Sequence, residues 1–131
     1  MIQSILVPKL VYQALLNNEN LSKYIGKRVF PLVAELGTVF PYVAYSKTYI
    51  TPAYTKDFYT EDTVGIEIVV ASTDYLESLE VANIVRSIFE CKKLKTDEIT
   101  ISQIKFSGIS EGYDDMANAF VQRLTFEFRV N

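Results

Sequence analysis

Two groups of carboxylates are the residues here whose type and spacing come nearest to reactive chemistry: Asp57, Glu61 and Asp62, and then Glu111, Asp114 and Asp115. Paired carboxylates can divide acid and base work between a protonated and an ionised partner, or hold a hard cation through several oxygens. Neither group has the regular oxygen-ligand spacing and fixed glycine of a calcium loop, so both are expected to be solvated loop charge. Histidine is absent, which removes the commonest general base and the commonest metal ligand. The one cysteine, Cys91, sits at the C-terminal end of a predicted helix, where the dipole raises a thiol pKa and suppresses its nucleophilicity. It is expected to be a packing or incidental residue. The five glycines form no phosphate-cradling GxGxxG or GxxxxGK pattern. No catalytic, cofactor-binding or metal-ligating residue is assigned, and no cofactor is expected.

The aromatic residues carry more information. FPYVAYSKTYITPAYT, residues 40 to 55, has the make-up of a strand and holds five aromatics in sixteen residues; Phe58 and Tyr59 follow closely. Such a row could stack on bases or sugars, but base-stacking surfaces interleave their rings with a dense basic groove. Only Lys47 and Lys56 fall among these rings, and a net charge of −3 repels phosphates. Two readings stay open: sheet core with amphipathic cover, or a protein interface, where tyrosine offers rigid area with a polar tip. Basic residues cluster at Lys23, Lys27 and Arg28 and at Lys92, Lys93 and Lys95. The second cluster follows a helix, where cations meet the negative end of the dipole.

These residues must be positioned by one domain, since 131 residues bury a single core. With 49% apolar and 22% charged residues the chain is ordinary for a globular protein and too apolar for disorder. No apolar run approaches the length that crosses a bilayer, and the start lacks the basic region and cleavage site of a signal peptide. A lone cysteine excludes an internal disulfide and fits a reducing compartment.

Apolar residues at Ile5, Leu6, Leu10, Val11, Ala14 and Leu15 predict a helix over 4–17, with Pro8 in its first turn. A short helical turn at 21–25 stops at Gly26, and KRVFP leads into an extended segment. In the aromatic strand, Val43, Tyr45, Lys47 and Tyr49 share one side. TPAYTKDFYTED, residues 51 to 62, reads as a long connection between strands. Val64, Ile66, Ile68 and Val70 then line one face of a cleaner strand. Asp74 caps a helix running to about Glu90, with Glu77 reaching back in a capping box, and Leu79, Ala82, Val85, Ile88 and Phe89 inward. A strand near 99–107 leads through the turn-rich SGISEGYDD into a last strand, 120–130, with Phe120, Leu124, Phe126, Phe128 and Val130 on one face. The order implies an α+β domain: a single mostly antiparallel β-sheet packed against two α-helices.

The segments LVYQALLNNENLSKYIGKRVFP, FPYVAYSKT, TPAYT, DYLESLEVANIVRSIFE and IKFSGISEGYDDMANAFVQRLTFEFRV occur in the order and spacing of the tail-completion proteins of long-tailed bacteriophages. The chain thus resembles the DUF3168 family, which includes the phage tail-to-head joining protein, over nearly its whole length. The most specific pieces are RVFP at 28–31, PYVxY at 41–45, and the turn Tyr113-Asp114-Asp115 before the final strand. It departs from many relatives at VVAS, where they have an aromatic, and at KKLKTDE, where they are glycine-rich. The resemblance implies a non-enzymatic virion protein, assembled in the bacterial host cytoplasm. Copies would form a ring, expected to be hexameric, at the head-proximal end of the tail, between the major tail tube protein and the head connector. It implies neither a membrane nor sequence-specific nucleic acid. Tyr49, Tyr54, Phe58, Tyr59 and Tyr113 are the subunit-interface candidates, with Thr51 to Asp62 as an arm on a neighbouring copy. The competing reading is a small cellular ligand-binding module, or a metal-dependent enzyme, using the tyrosine-rich face.

Overall fold

Strict alternation of apolar residues at 64, 66, 68 and 70, and again at 124, 126, 128 and 130, gives two strands that each bury one face completely. In the computed structural model, which describes residues 4–54, 60–95 and 99–131, these two strands are neighbours at the centre of a six-stranded sheet. The strands are β1 (Val29–Pro31), β2 (Tyr42–Tyr54), β3 (Thr60–Ser72), β4 (Leu94–Lys95), β5 (Thr100–Asp114) and β6 (Ala119–Val130). Across the curled sheet they lie in the order β1-β2-β3-β6-β5-β4. β3 pairs with β6 from Asp62↔Val130 to Ser72↔Phe120.

Among the described residues three helices, α1 (Val7–Asn17), α2 (Glu19–Ile25) and α3 (Tyr75–Phe89), accompany the sheet. α1 and α3 pack on the sheet, and α2 packs on both of them. The core lies between these layers. Phe89 of α3 meets Phe126 and Phe128 of β6 at ring-centroid distances of 5.6 and 5.9 Å, and each such fully buried ring contributes about 1.5–3 kcal/mol.

The domain is α+β, as expected, but the details differ. The sheet is mixed, because β1 runs parallel to β2 while the other pairings are antiparallel. The short segment at 19–25 is a helix in its own right, capped by the Asn18 side chain accepting from the Leu21 N–H at 2.9 Å. The chain enters α1 through a 3-10 turn, Ser4–Leu6, whose tighter pitch shifts the helical phase. Ile5 and Leu6 therefore face solvent, and Val7 takes the buried position. In α3 the buried stripe is Ser78, Val81, Ala82, Val85 and Phe89, with Leu79 exposed. Asp74 caps α3 by accepting from the Leu76 N–H at 3.0 Å. Glu77 accepts instead from the Ser72 hydroxyl, which itself accepts from the Asp74 N–H, so the capping box closes through Ser72.

Two expected connections are mostly strand among the described residues. Thr51–Tyr54 and Thr60–Asp62 continue the β2–β3 ladder in the register Thr51↔Thr63, Pro52↔Asp62, Ala53↔Glu61 and Tyr54↔Thr60. Pro52 is accommodated because β1 covers β2 only at Val43–Tyr45, so β2 is an edge strand at this point. Likewise SGISEGYD belongs to β5, and the turn is only 115–118. Asp114 Oδ1 holds it by accepting from the Met116 and Ala117 N–H groups at 3.0 and 3.3 Å. Cys91 is exposed just past α3, with a φ of 60°.

Candidate functional site

The motifs that looked separate in the sequence meet in space. Val29↔Val43 and Pro31↔Tyr45 set RVFP beside PYVAY, and the Val43 N–H donates to the Arg28 carbonyl at 3.1 Å. The Arg28 guanidinium turns back across the joint, donating to the Pro41 carbonyl at 2.8 Å and the Tyr24 carbonyl at 3.1 Å. Phe40 stacks on Tyr42 at 5.3 Å and Phe30 meets the same ring edge-on at 6.1 Å. Burial, and then the Asp114 carboxylate, push the Tyr42 hydroxyl above its ordinary pKa. These motifs build the joint between α2, β1 and β2; their residues serve structure.

Of the five interface candidates three are described, and Tyr113 lies at the far end of the sheet from Tyr54. A bulge at Thr48 reverses the phase of β2, since Lys47 pairs with Ile66 but Tyr49 pairs with Gly65. Tyr49 thus leaves the side of Val43, Tyr45 and Lys47 and lies on the outer face, and Ile50 takes the inward position. Its ring covers Gly65 so closely that a Cβ built there would fall 2.2 Å from the Tyr49 Cε1. The hydroxyl donates to Glu127 Oε1 of β6 at 3.4 Å. Burial first, and then that carboxylate, raise its pKa. Tyr54 ends β2 with 73% of its surface exposed. Phe58 and Tyr59 lie outside the described residues. Tyr113 stands at the opposite end of the sheet, 49% exposed, with its ring 5.0 Å from Phe120 and its hydroxyl donating to Asn118 Oδ1 at 3.3 Å.

The described carboxylates of the two acidic groups mostly hold structure. Asp62 accepts from the Ser4 hydroxyl, Glu111 accepts from the Tyr75 hydroxyl at 3.1 Å, and Asp114 caps its turn. Among the described residues no group of three or more His, Cys, Asp or Glu side chains is placed to hold a metal. No helix among them is long and apolar enough to cross a membrane.

Sequence reasoning passed over a second exposed apolar surface. Leu32, Val33, Leu36 and Val39, between β1 and β2, all face solvent, as does Met116 on the β5–β6 turn, which is 97% exposed. Leu36 and Met116 border one open depression of about 400 Å³, with Phe40, Tyr42 and Asp114. The available signal was four large aliphatics without helix or strand period between Pro31 and Pro41.

The result is a small α+β domain that leaves apolar side chains exposed at both ends of one sheet, Tyr54 at one and Leu36 and Met116 at the other. The chain belongs to the phage tail completion protein gp17 family, whose model matches residues 9–131, and with it to the structural proteins of phage tails. A chain from the virion of a native gene transfer agent particle shares the fold, with a TM-score of 0.81 and 19% identity over 92% of this chain and 90% of that one. No curated protein matches the chain.

Proposed function

We propose that this protein caps the head-proximal end of a phage tail tube as a ring of identical copies and joins the tail to the head connector. The role is structural, without catalytic turnover, and its place is the head–tail junction of the virion. The reading rests on family membership and on one structural observation. The β2–β3 hairpin and the β5–β6 turn project from opposite ends of the sheet, and each end leaves large apolar side chains in solvent, Tyr54 at one and Met116 beside Leu36 at the other. A monomer rarely leaves such surfaces uncovered, and a part that joins two assemblies needs a contact at each end. The β2–β3 hairpin is the arm that reaches a neighbouring copy, and the turn end meets another component.

Substitutions at the two ends separate the two contacts. Tyr54→Ala should keep the circular dichroism of the parent and weaken ring formation at least about thirtyfold, as loss of a ~2 kcal/mol interface anchor does. Leu36→Asp should leave ring formation intact and block head–tail joining in a complementation assay. If both folded variants complete tails like the parent, the reading is wrong.

A further inference from the structure

The four long strands β2, β3, β6 and β5 alternate in direction, and the outer two leave most of their outer edges unpaired. β1 covers β2 only at Val43–Tyr45, and β4 covers β5 only at Thr100 and Ile101. From Ser46 to Tyr54 on one side, and from Ser102 to Asp114 on the other, no described strand takes up the outward N–H and C=O groups. Free edges of this length are templates for pairing with another chain, and folded proteins usually cover or blunt them.

We propose that the occupant is the next copy of the same chain: the β2 edge over 46–51 of one copy adds to the β5 edge over 106–113 of its neighbour, making one continuous sheet around the ring. The proposal rests on the ring reading above and specifies its contact. Strand polarity favours it. β2 and β5 run in opposite directions within a copy, so rotation about an axis along the strands brings β5 against the next β2 antiparallel. The alternation then runs around the ring without a seam, in the more stable kind of ladder. A twofold pairing of β2 with β2 would leave both β5 edges free, whereas the head-to-tail joint consumes both edges of every copy and closes.

The joint also has the right offset. The free part of β2 lies toward the β2–β3 tip and that of β5 toward the β5–β6 turn, so neighbours must slide along the strands. Such a stagger is what a closed, tilted barrel requires. Pro52 supplies no donor and sets the limit of pairing on β2. The six residues of β2 make a joint about 20 Å long. With exposed side chains such as Ile109 and Tyr113 beside it, it buries on the order of 1,000 Å², the threshold of a specific interface.

Adjacent prolines provide the test, because successive amides of an edge strand point alternately inward and outward. Of Ser110→Pro and Glu111→Pro, the variant whose lost N–H faces outward keeps the parent's circular dichroism. It should raise the concentration needed for ring formation by at least about tenfold, from a lost hydrogen bond and the bulk of the proline ring. Amide hydrogen exchange on the parent gives an independent reading: residues 46–51 and 106–113 should become protected on passing from free protein to rings, formed in concentrated protein or on purified tail tubes. Rings that form equally well from the folded proline variant, or edge amides that exchange freely in the parent's rings, overturn the edge joint and leave the ring itself standing. Should both proline variants unfold, the exchange measurement decides alone. If the parent makes no ring under either condition, the ring reading fails and the joint with it.

Discussion

Gly65 and Tyr49 show how one residue's absent side chain decides what another can do. The Tyr49 ring occupies the space a β-carbon at 65 would need, and the Thr48 hydroxyl closes the same space, with Oγ1 2.6 Å from that point. Gly65→Ala should therefore destabilise the fold by about 1–3 kcal/mol through overpacking. Combining it with Tyr49→Ala should cost at least about 0.5 kcal/mol less than the sum of the single changes, because the two groups compete for one volume. Urea denaturation of the four proteins measures this. Additive costs would mean that Tyr49 does not rest on its own sheet and is free to contact a partner. The choice of Tyr49 as an interface residue rested on its being an aromatic in a strand. Its position was unreadable because the bulge that turns it outward has no mark in KTYIT.

At the scale of the element, Arg28 joins the end of α2 to the start of β2. Its two bonds to the Pro41 and Tyr24 carbonyls come from one planar guanidinium, and hydrogen bonds from a charged group contribute about 1.5–3 kcal/mol. Arg28→Ala should lower stability by that order. Arg28→Lys should recover little, since a single ammonium cannot present the fork. Thermal melts of both variants check this, and a lysine variant as stable as the parent would refute it. The helices were readable from their periods and caps, because a buried stripe and an Asp or Asn cap are local properties. The ends of the strands were not. Pro52 and the serines and glycines of SGISEGYDD signal turns by composition, yet all of them lie in extended β-strands. The partner strand overrode the local preference, as sheet pairing commonly does.

For the whole molecule, the tyrosines set the response to alkali. Tyr24 is raised above its ordinary pKa chiefly by its hydrogen bond to Glu80, at 2.8 Å, and Tyr75 chiefly by its bond to Glu111. Tyr42, Tyr45 and Tyr49 are raised chiefly by burial. A raised pKa means that the folded chain keeps protons the unfolded chain has released. This contribution is fully present below the unfolded tyrosine pKa of about 10 and is lost as pH rises through the higher folded values. Melting temperature should hold steady from neutral pH to about pH 9 and then fall, with phenolate absorbance appearing later in the folded protein than in urea. Tyrosines that ionise together in both states would contradict the pairing seen here.

By itself the sequence determined the class of the domain, the two central strands, the capped third helix and membership of a tail-completion family. Each of these depends on spacing within a short window or on the order of motifs along the chain. Only the tertiary structure decided that RVFP and PYVAY form one joint, that Tyr49 faces outward, and that Leu36 and Met116 share a surface. It also decided that the described parts of two supposed loops lengthen the sheet and leave its edges open. These facts depend on contacts between residues far apart in sequence, and on register, where a single bulged residue moves a side chain from one face to the other.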